Sequence, residues 1–263
     1  MDIFMDIFWQ VCGEYTTVKL VVGNYRGAPP KDVPFLIERL CDWLNSFLVT
    51  AGDTSKDISE RFSYAFFAAT LGHLYLAWIH PFGDGNGRTA RVLECAVLAN
   101  SGIVPWVSCA LLSDHYNRTR TEYYRRLDEA SKLENGVSRF LDYAAQGFVD
   151  QLREQTAEIQ EMQKQIAWKN YVHEMFQKQT QGEASRRRRL LVLSLPVDKA
   201  TPVSGLRHLS SELAEMYASK SPKTVSHDVN KLKSLGLVRL TPDGYLPRIE
   251  VMSAFTPLTH QVA

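Results

Sequence analysis

A histidine, a carboxylate, three glycines and two arginines stand close together in the segment His80-Pro81-Phe82-Gly83-Asp84-Gly85-Asn86-Gly87-Arg88-Thr89-Ala90-Arg91. Glycines at alternate positions let backbone N–H groups converge on one anion with no Cβ in the way. A helix that starts here would add its unpaired N–H groups and the positive end of its dipole. Arg88 and Arg91 share a face of that helix and suit a bidentate grip on phosphate oxygens. Asp84 is a hard oxygen ligand of the kind Mg²⁺ takes alongside substrate phosphates. His80 can accept a proton near neutral pH. Base, metal ligand and anion cradle together point to chemistry on a phosphate. Other phosphate and cation loops fail on spacing. No GxxxxGK[ST] occurs, Arg88 stands where an EF-hand loop needs an oxygen ligand, and the kinase signature set is missing. The plain alternative is a tight turn between packed helices with its arginines in solvent. The fixed register of His, Phe, Asp, Asn and both Arg weighs against it.

Helices must hold this loop. Val33 to Leu48 carries Phe35, Leu36, Leu40, Trp43, Leu44 and Phe47 at helical spacing, with Pro34 in the tolerant first turn. Asp53 or Thr54 is expected to cap a helix ending near Ile79. Its apolar stretch, Phe62 to Ile79, is broken by Ser63, Thr70 and His73, which suits a buried helix better than a membrane span. A helix over Arg88–Asn100 should stop at Gly102 and Pro105. Another opens at Ser113 and carries Tyr116, Tyr123, Tyr124 and Leu127. One or two more cover Val137 to about Lys178. Upstream, Gly13–Asn24 is β-branched and reads as a strand or hairpin. Phe82 is expected to be a buried anchor. His115 and His208 have no metal-spaced partners and are read as structural; His73, two helical turns before His80, is read as packed or capping, with a second catalytic role as the alternative.

Residues 164–263 hold 15 Lys/Arg against 8 Asp/Glu, so the net charge of +1 hides an acidic front and a basic rear. With 45% apolar and 22% charged residues the chain has the balance of a globular protein. Leu190–Leu195, His208–Ala218 and Lys223–Leu235 read as helices. Leu237–Leu240 and Leu246–Val251 flank the turn Thr241-Pro242-Asp243-Gly244. Three helices and a hairpin are the order of a winged helix-turn-helix. Lys223, Thr224, Ser226, His227 and Lys231 would face DNA there, with partner or dimer contacts as the alternative. Arg186–Arg189 reads as a solvated linker, with contact to nucleic acid or an acidic surface as the alternative. Cys12, Cys41, Cys95 and Cys109 form no CxxC and read as buried thiols of a reducing compartment. Asp2 and Asp6 stand where a signal peptide would be basic. The expectation is a cytoplasmic protein without membrane attachment.

The segment from His80 to Arg91 resembles the Fic family signature, His-x-Phe-x-(Asp/Glu)-Gly-Asn-Gly-Arg-x-x-Arg, at every defined position. Doc-type kinases carry Ala and Lys inside this loop, where Gly85 and Arg88 stand here, so the resemblance favours transfer of AMP over transfer of phosphate. Gly13 to Ala28-Pro29-Pro30 and Trp43-Leu44-Asn45 resemble the family's flap and following helix, and Tyr123-Tyr124 its nucleotide-side aromatic pair. The resemblance covers about residues 13–150. It implies ATP and Mg²⁺, and a target protein whose Ser, Thr or Tyr hydroxyl is deprotonated by His80. Asp84 would hold the metal. Asp84, Gly85, Asn86, Gly87, Arg88, Thr89, Ala90 and Arg91 would form the nucleotide cradle. Tyr123 and Tyr124 would contact adenosine or serve as core packing. Val22, Gly23, Asn24 and Tyr25 would pair with the target in a flap. Transfer of UMP or phosphocholine, removal of AMP, and a DNA-binding regulator that senses nucleotide remain alternatives. The family's restraining sequence, (Ser/Thr)-x-x-x-Glu-(Gly/Asn), does not occur; the nearest match, Ser211 to Glu215, is followed by Met216. Either the chain begins late, or an inhibitory partner in trans supplies the missing Glu, or no such brake exists. The expected fold is mainly α: a Fic helical domain with a small hairpin over 1–150, a helical linker over 151–189 and a winged helix-turn-helix over 190–263.

Overall fold

The computed structural model describes residues 15–17, 21–22, 25–178 and 182–254. Its chain divides into two compact units, one ending at Gln155 and the other starting at Thr156. The first unit opens on a short antiparallel hairpin, β1 (Val21–Val22) with β2 (Tyr25–Arg26), in the register Val22↔Tyr25. The expected hairpin lies here; its turn residues Gly23 and Asn24 fall outside the described residues.

Helix α1 (Val33–Gly52) buries Val33, Ile37, Leu40, Cys41 and Leu44, the stripe that a 3.6-residue period dictates, and takes Pro34 in its first turn. Helix α2 (Ile58–Ile79) starts later than expected, because Asp57 and not Asp53 is its cap, accepting from the Ser59 N–H at 2.8 Å. Asp53 instead accepts from the Ser55 N–H at 3.0 Å and closes the turn between the helices. The two helices approach closely at Gly72, where an added Cβ would stand 3.0 Å from Leu44 Cδ2. By length and composition α2 would also suffice to cross a membrane; 56% of its most apolar window is buried inside the fold. Phe66, Ala68, Ala69, Leu74 and Leu76 of α2 lie in the core of the first unit. Each large aliphatic or aromatic side chain buried there contributes about 1.5–3 kcal/mol.

Helix α3 (Asn86–Asn100) follows the glycine loop. One helix was expected from Ser113; two are found, α4 (Leu111–Arg118) and α5 (Arg120–Lys132), broken at Thr119. Helix α6 is a single element over Gly136–Gln177 and supplies residues to both units. Cys41 and Cys109 are buried free thiols as expected, whereas Cys95 is only half-buried.

The second unit contains α7 (Glu183–Ser194), a short α8 (Val203–Leu206), α9 (Ser211–Ala218), α10 (Pro222–Ser234) and the hairpin β3 (Val238–Thr241) with β4 (Gly244–Pro247). Residues 151–189 are not a separate linker: Trp168, Val172 and Phe176 belong to the hydrophobic core of this unit. Nor is the arginine run solvated throughout. Arg187 is buried, and it and Arg188 each donate through Nε to Asp228 at 2.7 Å, with the Tyr217 hydroxyl at 3.0 Å. Burial alone would push the Asp228 carboxyl up, but the two guanidinium bonds override it and hold it below the ordinary value. The last strand ends at Pro247, which has no N–H to continue the ladder, and a 3-10 turn takes Ile249–Ala254. Gly244 has φ +137, and a Cβ there would meet the Thr201 backbone at 2.4 Å. That contact is the bridge Thr201↔Tyr245, which seats the hairpin.

Candidate active site

His80 caps the C-terminus of α2 in the left-handed conformation, φ 53 and ψ 57, and is the one described non-glycine residue with positive φ. Such a backbone costs about 1–2 kcal/mol and turns the chain sharply out of the helix. Its Nδ1 lies 3.2 Å from the Ala77 carbonyl. A carbonyl only accepts, so Nδ1 carries the proton and Nε2 of the neutral ring is left as an acceptor. Burial holds the imidazole below its ordinary proton affinity, against the opposing pull of the Ala77 bond. The ring is therefore neutral and basic at Nε2 near pH 7.

The loop after it is locked by one side chain. Asn86, buried at the first position of α3, accepts from the Phe82 N–H at 2.9 Å and donates to the Phe82 carbonyl at 2.6 Å. Phe82 is 4% exposed, anchored in the core as expected, with Tyr15 stacked on it at 6.0 Å. Gly85 takes φ +86 just before the helix, a conformation that any Cβ would strain. The leading N–H groups of α3 have no carbonyl a turn earlier to bond, which makes them anion donors.

A cavity of about 610 Å³ opens beside this loop, in the size range of small-molecule sites. His80, Asn86, Gly87 and Arg91 line one side, and Tyr123 and Tyr124 line another. Residues 2–98 match the Fic/DOC family model. This part of the chain is similar to that family. Curated relatives include the protein adenylyltransferase fic-1 of Caenorhabditis briggsae, 33% identical over 119 residues, 45% of this chain and 20% of that one. The protein adenylyltransferase Fic of Drosophila willistoni is 32% identical over 133 residues, 51% of this chain and 23% of that one. The chain thus spans about a fifth of the length of these relatives. A crystal structure of a Fic family protein from Desulfovibrio desulfuricans G20 aligns at TM-score 0.44 and 18% identity, over 89% of this chain and 62% of that one, too loosely to constrain the fold.

Around the cavity the expected site residues divide. His80, Asn86, Gly87, Arg91, Tyr123 and Tyr124 meet at the cavity, whereas Asp84, Gly85, Arg88, Thr89 and Ala90 do not line it. Ala90 is in the core, so its side chain cannot reach an anion, and the Thr89 hydroxyl donates to the Gly85 carbonyl at 3.1 Å. Asp84 is nearly fully exposed, pairs with Arg88 at 3.0 Å and accepts from the Gly85 N–H at 2.6 Å. Among the described residues no cluster of three or more His, Cys, Asp or Glu could hold a metal. A lone exposed carboxylate suits a cation that brings most of its ligands as substrate phosphates. Val22 and Tyr25 pair in the hairpin.

The cavity is also lined by residues that the sequence by itself does not single out. Arg120 and Asp128 join Tyr123, Tyr124 and Leu127 on one face of α5, and Asn117 comes from α4. Their signal was the i, i+3, i+4, i+7, i+8 period, hidden because one helix was assumed where Thr119 separates two. The Arg120 guanidinium sits 5.7 Å over the Tyr124 ring. Tyr123 is a wall and a tether together. Its hydroxyl lies 2.9 Å from His73 Nε2; His73 Nδ1 lies 3.2 Å from Glu94, and Glu94 accepts from the Tyr116 hydroxyl at 2.9 Å. His73, expected to be structural, is fully buried in this chain of bonds.

Proposed function

We propose that the protein is a protein adenylyltransferase, moving AMP from ATP to a Ser, Thr or Tyr hydroxyl of a target protein. The observation that carries this reading is His80, whose Nδ1 meets the Ala77 carbonyl and so leaves Nε2 as the acceptor, set against the cavity that Arg91 and the N-terminus of α3 also line. Nε2 takes the hydroxyl proton as that oxygen attacks the α-phosphorus. The bond from the α-phosphorus to the bridging oxygen breaks, and pyrophosphate leaves with the electron pair. Arg91 and the leading N–H groups of α3 stabilise the charge that builds on the phosphate oxygens. Arg88 can join them by releasing Asp84, an exposed pair that costs little to open. Mg²⁺ bound to Asp84 and the phosphates would neutralise part of the same charge. Tyr123 and Tyr124 offer faces for the nucleoside, and the β1–β2 hairpin an edge for an extended target segment. A cytoplasmic setting belongs to this reading, as does an inhibitory carboxylate supplied in trans by a partner or a second copy.

The test is purified protein with labelled ATP, UTP or GTP, Mg²⁺ and cell lysate, read by mass spectrometry of the labelled bands. AMP on a hydroxyl supports the reading. UMP, phosphocholine or removal of AMP would replace it with one of the alternative chemistries.

The second unit favours one added role. Asp228, the single carboxylate of α10, is fully buried, while Lys223, His227, Asn230, Lys231 and Lys233 are exposed. A helix face with cations and no acid, following a helix and a turn, is suited to a DNA major groove in a winged-helix arrangement. Fluorescence anisotropy on a random duplex should show binding that weakens with salt and is lost in Lys223→Glu/Lys231→Glu. No binding at low salt would remove the role.

A further inference from the structure

The hairpin is tied to the chain on both sides of the base. The Ala28 N–H donates to the Ile79 carbonyl at 3.1 Å, and the Thr16 N–H donates to the Pro81 carbonyl at 2.8 Å. These are the residues before and after His80. Between the ties lies Gly27, immediately after β2. A Cβ built there would stand 3.0 Å from His80 Cβ, 3.5 Å from the Ile79 carbonyl oxygen and 3.8 Å from His80 Cγ. The first distance is tighter than ordinary van der Waals contact, and the atom it meets has little room to retreat. His80 is held in its left-handed backbone by its own N–H on Leu76 at 3.0 Å and by its ring on Ala77 at 3.2 Å.

We propose that Gly27 is a positioning residue for the base: its missing side chain lets the root of the hairpin close on the flank of His80 and hold the imidazole at the cavity. The segment that would present the target and the group that would take its proton are then one rigid piece. A displacement of the hairpin root is transmitted to the ring directly, and near-attack geometry tolerates little displacement. The inference rests on the transfer reading only through the role it gives His80.

The experiment compares Gly27→Ala with Gly52→Ala, a glycine with nothing within 4 Å of an added Cβ, in the full chain. The first readout is NMR titration of the His80 imidazole, which needs no activity. Burial depresses its proton affinity, so lifting the hairpin root should raise the midpoint measurably in Gly27→Ala, with Gly52→Ala matching wild type. The second readout is target labelling: kcat should fall about tenfold or more while KM for ATP stays within about twofold, because Gly27 does not line the cavity. Should Gly27→Ala fail to fold, Tyr15→Ala loosens the same root from the Phe82 side without adding bulk and should move both readouts the same way. An unchanged titration in a folded Gly27→Ala overturns the inference, as does a loss that appears in KM for ATP alone. A shifted titration in a protein whose wild type labels nothing would sink the transfer reading and leave the positioning role standing.

Discussion

His80 combines a strained backbone, a pinned Nδ1 and a half-buried ring, and each feature serves a base more than a core residue. His80→Ala should lower AMP transfer by at least ~10²-fold while ATP binding persists, since the imidazole supplies a proton site and not a phosphate contact. Labelling of targets by this variant at near wild-type rate would remove the general-base role. The pH dependence has a definite sign. Because burial lowers the folded proton affinity, the ring stays unprotonated at neutral pH, and transfer should fall only as acid takes the solution below the ordinary histidine value. The unfolded chain binds that proton more tightly than the native one, so the same acid limb should also cost stability; a pH series of rates and denaturation midpoints reads both. Asp84→Ala should abolish the Mg²⁺ dependence of ATP affinity and leave the fold unchanged, since the pair it loses with Arg88 is exposed on both sides. Calorimetry showing an intact metal effect in this variant would take the ligand role from Asp84.

Among the elements, two buried polar networks decide how helices lock. In the first unit, Tyr116, Glu94, His73 and Tyr123 link α4, α3, α2 and α5 behind the cavity. In the second, Asp228 joins α10 to α7 and α9. Asp228→Ala would leave the buried Arg187 without its counter-charge, and a cost of about 3 kcal/mol or more is expected in chemical denaturation. An exposed ion pair such as Arg186–Glu212 should cost under about 1 kcal/mol when broken by Glu212→Ala, which makes it the matched control. Equal effects from the two variants would deny Asp228 its bolting role.

For the whole molecule, the question is whether the site is restrained. Arg91 makes a bond from Nε to the Gly87 carbonyl at 3.2 Å, and among the described residues no carboxylate pairs with it. The purified chain should therefore label itself or a target with AMP without an activator, in a manner lost in His80→Ala. If it is inert until residues 1–12, which lie outside the described residues, are deleted, a brake of different sequence is present.

Much of this was legible along the chain because it depends on local periodicity and local chemistry. The stripes of α1, α3 and α10, the proline tolerated at Pro34, the buried anchor Phe82 and the glycine loop feeding a helix all follow from residues a few positions apart. The choice of Asp57 over Asp53 as a cap was not legible, since both can accept from an N–H two residues on and only the packed helix ends select between them. Nor was the fate of Arg187, whose partner Asp228 is distant in sequence and whose burial reverses what a run of arginines suggests. By itself the sequence determined which groups could do phosphate chemistry, because residue type and loop spacing set donors, acceptors and charge. Tertiary structure decided which of them act together. Asp84 and Arg88 stand in solvent, Arg91 and His80 share a cavity with the α5 face, and Gly27 comes back to His80 across the two helices α1 and α2, because such contacts depend on how helices pack and not on neighbours in the chain.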